Sequence, residues 1–321
     1  MPYNNVVARG EVVMSEDYSS LIIDNSKDLS AAMSAFRKVT VSKAQQRFPV
    51  VSALPTAYWV NGDTGLKQTT EMNWANKYLT VEELAAIVPI PENVLDDSDF
   101  DVFGEIRPKL EEAIARGFDS AVFMGVNAPA SFPTNIRAAA IAAGNTAQSG
   151  SSTAAQGGVW GDVDNVIGAL EADGYDATAY AANRSFRSLL RKARNTQGDR
   201  VDRDRTDASL GSIDGDPVIY SMRGLWPVQG AAASGIKGLI AVAMQADQFV
   251  YGLRKDITYK VLDQAVIQDA AGAIQYNLAQ QDMVALRVTF RAGWQVANGI
   301  NYDQVTESAR YPAAVLETAA P

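Results

Sequence analysis

Residues 59–74 read WVNGDTGLKQTTEMNW. The pair Asn61-Gly62 is a turn signal, Gly65 follows it, and Trp59 and Trp74 stand at the two ends of a β-prone stretch. Asn-Gly between extended runs marks a β-hairpin, because both residues accept the positive φ of a tight hairpin turn. The second arm carries Lys67, Gln68, Thr69, Thr70 and Glu71 and is too polar to line a core. The pattern predicts a long hairpin with nothing of its own to bury against.

Composition narrows the search for what covers it. The chain has 321 residues, 47% hydrophobic and 20% charged, which is globular material long enough for one large core or two. It contains neither histidine nor cysteine. That removes His- or Cys-based zinc sites, Cys-His and Ser-His-Asp catalysis, disulfides and iron–sulfur clusters. A formal charge of −9 argues against wholesale affinity for nucleic acid, while leaving room for a local basic patch. No apolar run approaches the ~20 residues that span a bilayer, and MPYNNVVARGEVV lacks the regions of a signal peptide. The expectation is a soluble protein.

Outward from the hairpin, residues 1 to about 27 are weakly patterned and read as an extended arm. Residues 28–39 place Leu29, Met33 and Phe36 at helical spacing, and 39–60 read as extended. TVEELAAIV, residues 80–88, is ambiguous. Thr80 and Glu83 have capping-box spacing, whereas Leu84, Ala86, Val88 and Ile90 alternate as in a strand. From 102 to 124, Phe103, Ile106, Leu110, Ile114, Phe118, Ala121 and Val122 form one apolar helical stripe that Gly125 would stop. Pro108 inside it predicts a kink or a late start. Residues 126–158 are small and polar and read as loop or hinge. A helix over 163–173, a strand over 177–182, a basic helix over 185–193 and strands over 218–221 and 238–243 follow. FVYGLR, ITYKVL and MVALRVTFRAGWQV then read as successive strands, the last with Val284, Leu286, Val288 and Phe290 on one face. YPAAVLETAAP shows little structural signal.

Candidate chemistry is sparse. GAAASGIK, residues 230–237, has two glycines at phosphate-loop spacing but no Gly-Lys-Ser/Thr. The acids Asp96, Asp97, Asp99 and Asp101 lack calcium-loop spacing and precede a helix, where carboxylates cap free N–H groups. Residues 184–207 mix Arg184, Arg187, Arg191, Lys192, Arg194, Arg200, Arg203 and Arg205 with Asp199, Asp202, Asp204 and Asp207. Mixed signs suit a salt-bridged contact with a neighbouring copy better than a phosphate track. We identify no catalytic, cofactor-binding or metal-binding residues, which favours an interaction protein over an enzyme. A hydrolase working through two carboxylates is the competing class, but no two acids pair convincingly.

The order of these parts resembles the major capsid proteins of tailed bacteriophages, with the Hong Kong 97 fold. YWVNGDTG (58–65) is similar to the start of that family's extended loop, and LAAIVPIPENVLDDS (84–98) to the strand and short helix before its long spine helix. FDSAVFMGVNAPASFPTNI (118–136) resembles the end of that helix and the turn after it. GDPVIYSM (215–222) resembles a strand near the capsomer axis, and DMVALRVTFRAGWQVAN (282–298) the closing strand of the peripheral domain. The resemblance covers most of the chain from about 50 to 300.

It implies an α+β fold: an N-terminal arm (1–50), an extended β-hairpin loop (51–80), a peripheral domain (81–137 and 241–310) with spine helix 102–124, an axial domain (138–240) and a C-terminal tail (311–321). It implies that the hairpin lies across a neighbouring subunit rather than its own, and that 80–88 is a strand. Trp59, Asn61, Gly62, Lys67, Glu71 and Trp74, with Arg200, Asp202, Arg203, Asp204 and Arg205, would be intersubunit contacts. The implied function is self-assembly into hexameric and pentameric capsomers of an icosahedral virion shell, assembled in the host cytoplasm. That shell would enclose double-stranded DNA without sequence-specific contact. A portal, a separate scaffolding protein and a decoration protein are the implied partners, with no cofactor and no membrane. The short stretch before the first motif argues against a cleaved N-terminal scaffold and for a separate scaffold or none. Lys67 or Lys77 with Asn298 or Asn301 would be the candidates for the type member's Lys–Asn crosslink, which most relatives lack. The alternative with the same fold is an encapsulin-type nanocompartment shell that packages an enzyme.

Overall fold

A computed structural model describes residues 30–60, 65–98, 101–194, 210–226, 237–269 and 271–319. Outside the described residues lie the arm to residue 29, the Asn61-Gly62 turn, Asp99, the segment with Arg200, Asp202, Arg203, Asp204 and Arg205, and loop residues 230–236.

Helix α1 (Ala31–Ala35) starts at Ser30, whose hydroxyl accepts from the Met33 N–H at 3.1 Å. The helix expected to continue to 39 stops here. Phe36 turns extended, and the chain continues as β1 (Arg37–Thr40). The ring of Phe36 stacks on Phe249 at 5.1 Å, and β1 pairs in parallel with residues from Val250 to Leu253. Burial of one aromatic and a ladder to a distant strand outweigh a weak local helical pattern.

Strands β2 (Gln45–Ala53) and β3 (Asn73–Thr80) form the antiparallel hairpin, with Gln45 opposite Thr80 and Ala53 opposite Asn73. The ladder therefore begins at Gln45, earlier than the expected boundary at 51. It ends well short of Asn61-Gly62, and the described residues between 54 and 72 contain no strand. Strand β4 (Glu82–Pro91) follows with only Val81 between, so Thr80 is a strand residue and the capping box does not form. Pro91 then precedes helix α2 (Glu92–Asp96).

Helix α3 (Val102–Asp119) carries the predicted stripe, runs through Pro108 and ends in a π-helical turn over Ser120–Met124. Asp101 caps it, accepting from the Gly104 N–H at 2.9 Å, the helix-capping role expected of that acid. Gly125 stops it at φ 70°, where a side chain would also press on Asn135. The stretch expected as loop contains helix α4 (Ile136–Ala143), capped by Asn135, and strand β5 (Thr146–Gln148). Alanine is the best helix former, so its abundance there signalled helix rather than hinge.

Helix α5 (Val159–Ala172), strand β6 (Ala179–Ala182), helix α6 (Arg184–Lys192) and strands β7 (Ser212–Ile213), β8 (Asp216–Tyr220) and β9 (Leu239–Met244) come next. FVYGLR and ITYKVL form one continuous strand, β10 (Phe249–Leu262). The short pair β11 (Val266–Gln268) and β12 (Ile274–Asn277) leads to β13 (Met283–Val296), and β14 (Ala313–Glu317) closes the chain. Within the segment expected as a tail, Ala313–Glu317 is thus a strand buried at every residue.

The described residues divide into two compact units. In the first, Glu82–Gly117 with Lys255–Ala292, β4 pairs antiparallel with β13 from Glu82 opposite Ala292 to Pro91 opposite Met283. Pro89 is tolerated because β4 is an edge strand of the sheet β1-β10-β13-β4. Leu84 packs under Gly117 of α3, and Ile90, Val94 and Val102 form a buried cluster. The Tyr259 hydroxyl donates to Glu111 on α3 at 2.7 Å. Alternation on β13 is weaker than expected, because Met283, Ala285 and Thr289 are buried as well as Leu286, Val288 and Phe290. Strands covered on both faces lose the period-two pattern.

The second unit holds the described residues of 30–81, 118–254 and 293–319. Its six-stranded sheet has the order β5-β14-β9-β6-β8-β7. Strands β6, β9 and β14 are buried at every residue. Trp160, Val163, Val166 and Leu170 of α5 and Phe186 and Leu190 of α6 pack with sheet residues into one core. A separate aromatic group joins Phe36, Phe123, Trp226, Phe249, Trp294 and Tyr311.

Candidate assembly interface

The hairpin is the most exposed apolar feature among the described residues. Trp59 is 99% exposed, Leu66 89% and Trp74 62%, and Tyr58, Val60, Met72 and Tyr78 are also open to solvent. Such a concentration of large apolar side chains marks a surface that another molecule covers. In the sequence, the polar arm is the feature that stands out. The structure adds Leu66 and Tyr78, which stand among polar neighbours with no periodicity to reveal them. Lys67 and Glu71 are exposed on the same excursion as Trp59 and Trp74. One internal bond crosses the excursion, from the Tyr58 hydroxyl to the Gln68 carbonyl at 2.9 Å.

The root of the hairpin, by contrast, packs on its own chain, which corrects the expectation that the whole loop leans only on a neighbour. Leu79 is fully buried with Val41 and Val81. Two glycines admit it. A Cβ at Gly252 would sit 2.6 Å from Leu79, and one at Gly293 would sit 2.0 Å from the Thr80 carbonyl oxygen. Further out, the Gln295 amide donates to the Tyr78 carbonyl at 2.7 Å, Lys77 pairs with Glu307, and the Tyr302 hydroxyl donates to the Pro55 carbonyl at 3.1 Å.

Three of the four candidate crosslinking residues are engaged within the chain. Asn298 accepts from the Tyr175 hydroxyl at 2.8 Å and donates to the Arg310 carbonyl at 3.2 Å. The Asn301 amide donates to the Asp173 carbonyl at 2.6 Å. Lys67 is exposed on the hairpin, and Lys77 is engaged with Glu307.

Other exposed apolar residues lie in the first unit: Val261 near the end of β10, and Val266 and Ile274 on the β11–β12 pair. Where α3 ends in the second unit, Asp119 is fully buried. Its carboxylate accepts from the Ser30 hydroxyl at 2.5 Å, the Ala31 N–H at 2.8 Å and the Ala32 N–H at 3.1 Å. Burial pushes its pKa up to about 6, although these hydrogen bonds pull the other way. It anchors the start of α1 to the end of α3. Among the described residues, no group of carboxylates is arranged to hold a metal ion, and no helix is long and apolar enough to cross a membrane.

An α+β chain with an exposed hairpin and a long helix over a sheet has the anatomy of a shell subunit. The sequence model of the phage capsid family matches residues 10–300, and the chain belongs to that family. It is similar to the "Major capsid protein" of Staphylococcus phage 80alpha, at 26% identity over 288 residues, covering 88% of this chain and 81% of that protein. A solved structure from Microbacterium phage Oxtober96 superposes with a TM-score of 0.82 at 32% identity, covering 98% of this chain and all of the other. One from Mycobacterium phage Adephagia gives 0.81 at 27% identity and 99% of both chains. The fold is the Hong Kong 97 type, and these relatives favour a phage capsid over a nanocompartment shell.

Proposed function

We infer that this chain is the major capsid protein of a tailed phage and builds the virion shell by association with copies of itself. The observation that carries the mechanism is the hairpin with its excursion, where Trp59, Leu66 and Trp74 are largely exposed in their own chain. Each large apolar side chain covered by a neighbour contributes about 1.5–3 kcal/mol. Every subunit both gives and receives such contacts, so weak contacts add up through high effective concentration, and closed symmetry ends growth.

In this reading the shell is made of hexamers and pentamers and encloses double-stranded DNA without reading its sequence. A portal, a scaffolding protein and a decoration protein are its partners. Residues 1–50 serve as arm, 51–80 as extended loop, 81–137 and 241–310 as peripheral domain and 138–240 as axial domain. Trp59, Asn61, Gly62, Lys67, Glu71 and Trp74 contact a neighbouring subunit. Arg200, Asp202, Arg203, Asp204 and Arg205 meet their counterparts around the symmetry axes. The family supports a structural rather than an enzymatic role.

The test is assembly of the full chain, coexpressed with its neighbouring genes and followed by negative-stain microscopy and sedimentation. Wild type should give closed shells. A triple Trp59→Ser, Leu66→Ser, Trp74→Ser variant should stop at subunits or capsomers while melting like wild type, because it loses only exposed groups. Shells from that variant at wild-type yield would remove the hairpin from the interface. In the same assay, reversing Arg200, Arg203 and Arg205 to glutamate should reduce shell yield, and an unchanged yield would refute the axial contact.

A further inference from the structure

The hairpin's attachment to its own chain is graded along its length, and the gradient has a mechanical meaning. At the root, Leu79 and Thr80 are locked by close packing against Gly252 and Gly293. At the tip, the described residues carry one internal hydrogen bond. Between the two, a single segment that starts at the end of β13 and runs on beyond it touches both arms. Gln295 and Glu307 hold β3 at Tyr78 and Lys77, the Ile300 N–H reaches the Val51 carbonyl of β2 at 3.4 Å, and Tyr302 holds Pro55.

That segment is itself rigidly organised. The buried Arg310 guanidinium donates to the carbonyls of Asn298 at 3.2 Å, Gly299 at 3.2 Å, Gln304 at 3.3 Å and Val305 at 2.6 Å. One side chain thus gathers the carbonyls of the loop that carries Ile300, Tyr302 and Glu307. Buried charged groups hold such geometry because each unmet partner would be costly.

We propose that residues 295–307, organised by Arg310, form a bracket that sets the direction of the extended hairpin, and that the Lys77–Glu307 ion pair is its releasable catch. Glu307 is largely exposed and Lys77 partly so. An ion pair in such a place contributes little to stability, so it can be made and broken without disturbing the fold. Leverage makes it consequential. Strand β3 has eight residues, about 27 Å at the usual rise, so a rotation of roughly 10° at the root moves its far end by about 5 Å. A displacement of that size decides whether Trp59 and Leu66 meet a neighbour's surface. The consequence for assembly rests on the capsid reading; the bracket itself does not.

The test therefore uses the full chain before assembly. The protein has no cysteine, so Leu66→Cys and Ile141→Cys provide a unique pair of spin-label sites within one unit. Wild type should give one narrow distance distribution. Lys77→Glu and Glu307→Lys should each lose the single peak, with unchanged thermal melting, and the double charge exchange should restore it. If the single variants keep the wild-type distribution, or the exchange does not restore a lost one, the bracket has no catch at this pair. Shell yield measured on the same variants separates this outcome from a failure of the capsid reading, because the distance measurement needs no shell.

Discussion

Replacing Arg137 with alanine should cost about 3–5 kcal/mol of stability, read as the shift in urea midpoint at constant slope. Arg137 stands in the first turn of α4, and Glu317 is the last residue of β14, a central strand of the six-stranded sheet. The guanidinium donates to one Glu317 oxygen from Nε at 2.9 Å and from Nη2 at 2.7 Å, and Nη2 also donates to the Lys237 carbonyl at 3.0 Å. Glu317 is almost fully buried. Without Arg137 its charge stays in the core uncompensated. The paired change Arg137→Met, Glu317→Met should lie much closer to wild type, since it removes both charges together. A loss below about 1 kcal/mol in the single variant would mean that water or another cation reaches Glu317.

The second large effect concerns Asp119 and pH. Its pKa rises from 3.8 to about 6 on folding, chiefly because burial disfavours the charged form. The folded chain therefore binds this proton more tightly than the unfolded chain does. Its contribution to stability is fully present below about pH 3.8 and is lost as the pH climbs through about 6. The change across that window is on the order of 3 kcal/mol, since each tenfold gain in proton affinity is worth about 1.4 kcal/mol. Asp119→Asn cannot titrate. The difference in unfolding free energy between wild type and this variant should move in favour of the wild type as pH is lowered from 7 to 4, and stay flat above about 7. A difference that does not vary with pH would show that Asp119 keeps its ordinary pKa.

Much of the fold was legible from local pattern. The stripe from Phe103 to Val122 and the stop at Gly125 were readable because a helix writes its buried face at three- and four-residue steps. The existence of a hairpin in this region was readable, but not its arms: the strands pair over Gln45–Ala53 and Asn73–Thr80, the described residues flanking Asn61-Gly62 form no strand, and that turn lies outside the described residues. Other elements were not. AAVLE, Ala313–Glu317, is five residues long and buried on both faces, so it offers neither alternation nor length to identify it. Arg37–Thr40 is a strand only because β10 supplies the partner, some two hundred positions away.

The candidate interface divides in the same way. The polar arm from Lys67 to Glu71 announced by its composition that it needed no core of its own. Lys77 with Glu307, Gln295 with Tyr78 and Tyr302 with Pro55 could not have been paired from sequence, because no local spacing links positions so far apart. The sequence alone determined the mixed α+β class, the long helix, the projecting loop, the absence of thiol and imidazole chemistry and the resemblance to phage capsid proteins. Only the tertiary structure decided that the C-terminal residues complete a central sheet, that Arg137 and Glu317 share one buried charge site, and that the hairpin is bracketed from its own chain. The first group depends on periodicity and composition, which act within a few residues. The second depends on the closing of long loops around a common core, and a linear pattern carries no record of which distant groups that closure will bring together.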